Sequence, residues 1–125
     1  MSSLDSCPIS LNVASDPRLA RLVRMTAANV AMLSSMSVDR VEDIRMAAEE
    51  AFIYACSVTP DASVEIDFSV DADHVGMSFA LDASKAGEPD DQASAYAELI
   101  LASVCDSYEK TESPLVLHLE LKADV

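Results

Sequence analysis

The chain has 125 residues, enough for one domain, and half of them are apolar, which argues for a packed core and against disorder. Eight basic residues against 22 acidic ones give a formal charge of -14, which argues against sequence-independent nucleic-acid binding, since phosphate neutralisation needs a basic surface. No uncharged apolar run approaches the ~18 residues of a membrane span. Two glycines, where about 9 are usual for this length, leave little material for a glycine-cradled phosphate loop.

The N-terminal residues Met1 to Asp5 show neither a basic nor an apolar leader region, so a cytoplasmic protein is expected. Ile9, Leu11 and Val13 alternate with polar residues, as in a short half-buried strand. Asp16-Pro17 then suits a helix start, with Asp16 as cap and Pro17 as first helical residue. Leu19, Leu22, Val23, Thr26, Val30 and Leu33 recur at helical spacing, giving a first helix of about 17–34. Ser34 to Ser37 break it. Ser37 can cap a second helix beginning near Val38, with a core stripe of Val41, Ile44, Ala48, Ala51, Phe52 and Ala55. Thr59-Pro60-Asp61 ends that region.

The period then changes to two. Val64, Ile66, Phe68 and Val70 alternate with polar residues, and so do Val75, Met77, Phe79 and Leu81 after the turn Asp71 to His74, which reads as a β-hairpin. A loop over Lys85 to Pro89 leads to a third helix of about 91–105, turning Tyr96, Ala97, Ile100 and Val104 inward. Ser107 to Lys110 suits a short strand. Leu115, Leu117, Leu119 and Leu121 form the last one, with His118 and Glu120 on its other face. The order β-α-α-β-β-α-β-β predicts a single α/β two-layer sandwich over 1–125: a mostly antiparallel sheet covered on one face by three helices.

Charge is segregated along this order. Residues 1–57 hold all five arginines and a net charge of -2, and residues 58–125 hold the remaining -12. Arg18, Arg21 and Arg24 lie three apart and share one side of the first helix, either as a solvated face or as a docking face, since arginine is enriched at interface hot spots. Cys7, Cys56 and Cys105 are odd in number and have no C-x-x-C spacing, so reduced thiols are expected. The acidic clusters at Asp71/Asp73/His74 and Asp90/Asp91 lack the spacing of a calcium loop and read as turn chemistry. Six methionines, among them Met25, Met32, Met36 and Met46 in the helical half, serve either as core filler or as an adaptable binding surface.

Three further features carry a resemblance: Leu19-Ala20-Arg21-Leu22 on the first helix, Val41 to Ala51 on the second, and a hairpin ending in Leu81-Asp82. In these the sequence resembles the anti-sigma factor serine/threonine kinases of the GHKL (Bergerat-fold, histidine-kinase-like) ATPases, across almost the whole chain. The resemblance implies ATP and magnesium bound beside the sheet, Glu50 at the position of the general base, and Asp82 at that of the adenine contact. It also implies a sigma factor and an anti-anti-sigma protein of the STAS type as partners, Arg21 as a partner contact, and a homodimer. The site departs from the family pattern at three places. Tyr54 stands where the family has a magnesium-ligating Asn. Ser84 and Ala86 replace the glycines after Asp82, and Ser94-Ala95-Tyr96 replaces the phosphate-binding Gly-x-Gly. The segment from Ser84 to Ala93 is too short for an ATP lid.

The expectation is therefore a degenerate member that works by protein binding through Arg18, Arg21 and Arg24, with no cofactor. Its nucleotide site would be remodelled around Glu50, Asp82, Tyr54, Ser94 and Tyr96. The alternative is an active kinase using ATP and magnesium on an unusual metal shell.

Overall fold

The computed structural model describes residues 9–82, 87, 91–112 and 115–124. Five strands, β1 (Ile9–Ala14), β2 (Ser63–Val70), β3 (His74–Leu81), β4 (Ser107–Glu112) and β5 (Leu115–Lys122), form one sheet in the order β1-β2-β3-β5-β4. Every neighbouring pair is antiparallel. Three helices, α1 (Ala20–Ala31), α2 (Val38–Val58) and α3 (Asp91–Val104), complete the two-layer α/β sandwich expected from the sequence.

The alternation in the strands works as a face selector. Val64, Ile66, Phe68 and Val70 are buried while their neighbours Ser63, Glu65, Asp67 and Ser69 are exposed. The same register carries Val75, Met77, Phe79 and Leu81 of β3, and the odd-numbered leucines of β5, onto the core face. The other face stays polar and open.

The helix α2 is the spine of the covering layer. Ser37 caps it as predicted, its Oγ accepting from the Arg40 N–H at 3.1 Å. Thr59 ends it by donating both its N–H and its hydroxyl to Ala55 O, and Pro60 and the left-handed Asp61 (φ 59°) turn the chain away. Its inner face is Ile44, Ala47, Ala48, Ala51, Phe52 and Ala55, all fully buried. Four alanines let the helix axis lie close to its neighbours, and Phe52 fills the space between, so Phe52→Ala would cost about 3–5 kcal/mol.

Four sequence expectations are corrected by the structure. Pro17–Leu19 form a separate short 3-10 turn, capped by Asp16, and α1 proper runs only from Ala20 to Ala31. Leu22 and Leu33, expected inward, are exposed, while Ala20, Val23, Ala27, Val30 and Ala31 make the contact face. On α3 the inward residues are Ala97 and Leu101, and Tyr96, expected inward, is 58% exposed. His74 is the first residue of β3 rather than part of the turn. Cys7, Lys85 and the 83–86 and 88–90 segments lie outside the described residues.

Candidate functional site: a helix groove and an arginine-bearing helix face

On α2, Glu50 and Tyr54 are one turn apart, and α3 packs beside that turn. The two helices leave a cleft of about 310 Å³ lined by Glu50, Ile53, Tyr54, Ser57, Tyr96 and Ala97. Glu50, Tyr54 and Tyr96 therefore line one cleft. Asp82 does not join them: it follows β3 directly, exposed, and is absent from the described lining. Ser94 lies within α3, and its side chain is outside the described residues.

The chemistry of the cleft is set by two side chains. Tyr54 is only 6% exposed, and its hydroxyl accepts a hydrogen bond from Lys110 Nζ at 3.1 Å, which places the ammonium off the hydroxyl end of the ring, 5.6 Å from its centroid. Lys110 comes from the edge strand β4, 56 residues away in sequence, so spacing gave no signal for it. Glu49 faces the other way and pairs with Arg24 at 3.3 Å. Glu50, by contrast, has no ion pair or hydrogen bond among the described residues. Burial raises its carboxyl above the usual range, and the adjacent Glu49 charge adds to this.

Among the described residues the cleft lining thus offers one carboxylate, two phenols and no cation. Ser57 adds a hydroxyl to this lining, and the Tyr54 hydroxyl is already engaged by Lys110.

The second region is the outer face of α1. At ~100° per residue, Leu22 and Met25 lie about 60° apart on α1 with Arg21 beside Met25 and the exposed Asn29 between them in angle, and Met32 and Leu33 follow the end of the helix. Leu22, Met25, Met32 and Leu33 are 48%, 50%, 73% and 45% exposed. The structure separates the three arginines. Arg18 sits in the 3-10 turn and binds Asp16. Arg24 turns toward α2 and Glu49. Arg21 is exposed and makes no ion pair among the described residues. Two of the helical-half methionines are therefore on this exposed face, whereas Met36 packs partly against the core.

Elsewhere the polar residues do local work. Asp71 Oδ1 accepts from the N–H groups of Asp73 and His74 at 2.8 and 2.9 Å, which closes the hairpin turn. These bonds hold the Asp71 carboxyl below its usual range, as does the His74 ring. Ser78 Oγ lies 3.1 Å from His118 Nδ1 on the open sheet face. No carboxylate orients that ring among the described residues, so the pair lacks the third member of a hydrolytic constellation. No group of three or more His, Cys, Asp or Glu suited to a metal ion occurs among the described residues, and none of their helices is long and apolar enough to cross a membrane.

The chain is similar to the crystal structure of the RsbU and RsbW domains of Rv1364c from Mycobacterium tuberculosis, with a TM-score of 0.68 and 14% sequence identity. The match covers 93% of this chain and 32% of that one, so the chain spans about a third of its structural neighbour. No family model matches the sequence, and no curated protein matches it significantly.

Proposed function

We propose that the chain is an anti-sigma-factor-like regulator that acts by protein–protein binding in a partner-switching system, with a sigma factor or an anti-anti-sigma protein of the STAS type as partner. The carrying observation is the α1 face. Leu22 and Met25 on the helix, and Met32 and Leu33 just past its end, are exposed apolar residues separated by the exposed Asn29, near an Arg21 that has no ion pair among the described residues, on a protein whose charge is otherwise strongly negative. An apolar patch edged by arginine is the composition of an interface centre. Arg21 would select a carboxylate on the partner, while the apolar residues supply most of the buried area. The sequence resemblance and the likeness to a structure containing an RsbW domain support the same reading.

A second reading is an active serine/threonine kinase, with Glu50 as general base and Asp82 on adenine. The observation in its favour is the raised pKa of Glu50, which suits a general base. Calorimetry with MgATP separates the two. Micromolar binding that weakens on Asp82→Asn would revive the kinase reading, and the absence of heat at millimolar nucleotide would end it.

A further inference from the structure

The α2–α3 cleft is shaped for something, and its lining states the chemistry. About 310 Å³ lies at the lower end of small-ligand sites, which run from roughly 300 to 1,000 Å³. Ile53, Tyr54, Ala97 and the Tyr96 ring make its walls apolar. Glu50 is the one charged residue among the described lining, and it has no partner there, although its neighbour Glu49 is held by Arg24. Lys110 lies behind Tyr54 and does not line the cleft. Tyr96 presents a second ring at the rim, 58% exposed.

We propose that this cleft binds a free small-molecule amine with an apolar body, its ammonium against the Glu50 carboxylate and its body between Ile53 and the Tyr96 ring. Among the described lining an anion meets a carboxylate and no counter-charge. A neutral apolar molecule leaves the half-buried carboxylate without a partner, and that is costly in an apolar surrounding. The amine satisfies both halves of the site. This assignment does not depend on the α1 docking face and stands or falls separately from it.

The test is a methyl-labelled NMR titration of the full chain with phenethylamine, phenethyl alcohol and a lysine-containing nonapeptide, read at Ile53 and Ala97. The expected result is saturable shifts at both residues, with the amine about tenfold tighter than the alcohol, as a charge-assisted bond in a partly solvated site gives. The amine should also bind more tightly than the peptide. Glu50→Gln should bring amine and alcohol level while keeping the folded circular dichroism spectrum. Ile53→Ser should weaken both ligands together. Equal affinity for amine and alcohol in the unaltered protein would overturn the assignment. So would a preference that survives Glu50→Gln, shifts confined to other residues, or tighter binding of the peptide.

Discussion

Arg40 ties together three elements that are far apart in sequence, and its removal gives a calculable loss. Its side chain is 14% exposed. Nε donates to Lys122 O at 2.8 Å at the end of β5, and Nη1 donates to Val104 O at 3.1 Å at the end of α3. The same guanidinium pairs with Asp43 and Asp106, and Asp106 in turn accepts from the Lys122 N–H at 2.6 Å. Beside it Ser37 and Asp124 are hydrogen-bonded, which closes the start of α2 against the end of β5. Arg40→Ala leaves two carbonyls without their donor, at about 1 kcal/mol each where water can partly replace it. The two ion pairs are with carboxylates about 40% exposed, so they contribute only about 0.5 kcal/mol each. The expected loss is about 3 kcal/mol, read by urea denaturation, or a fall in Tm of about 10 °C. Arg40→Lys keeps the charge but not the planar fork, and should recover less than half. Added salt should remove only the ion-pair third of the effect. A loss under about 1 kcal/mol for Arg40→Ala, or full stability for Arg40→Lys, would refute this reasoning.

Other consequences follow from burial and charge. Because the folded-state pKa of Glu50 is raised, its ionisation opposes folding, and stability declines as pH rises from the ordinary carboxylate range through the raised value. Glu50→Gln should therefore have a higher Tm than the unaltered protein at neutral pH, a gain that disappears in acid where both side chains are neutral; an equal gain at all pH values would contradict the cause. Burial pushes the Cys56 thiol up to about 11 and the Cys105 thiol up to about 12. In a Cys7→Ser background both should react with iodoacetamide at least ~10-fold more slowly than in the urea-unfolded chain, and equal rates would show them accessible. On α3, Leu101→Ala should cost roughly 2–5 kcal/mol, whereas Tyr96→Ala should change stability by less than about 0.5 kcal/mol. The reverse ranking in thermal melts would place the wrong face inward.

The strands were legible because side-chain direction has a strict period of two. Val64 to Val70 and Leu115 to Leu121 bury every second residue, so polarity alone assigns their faces. Helix faces were less so. On α1 the contact face is largely alanine, which carries little hydropathic signal, while Leu22 and Leu33 advertise a burial that the packing does not give them. The same effect moved Tyr96 outward on α3, where Leu101 takes the core position. In the cleft, Glu50 and Tyr54 were placed together by their i,i+4 spacing. Lys110 on Tyr54, and the partners of Arg40 at Val104, Asp106 and Lys122, come from distant segments that only the folded sheet brings near.

The central claim is partner binding through the α1 face. Its most direct measurement is affinity capture from the native cell, without added nucleotide, with the unaltered chain and the Arg21→Ala chain as parallel baits. Arg21 is exposed and unpaired within the described structure, so the substitution should leave Tm unchanged. The account predicts that the unaltered chain retains a sigma factor or a STAS-type protein and that Arg21→Ala loses it, by a margin of about 2 kcal/mol in a follow-up isotherm with the purified partner. Capture of neither class, or equal retention by both baits, would contradict it.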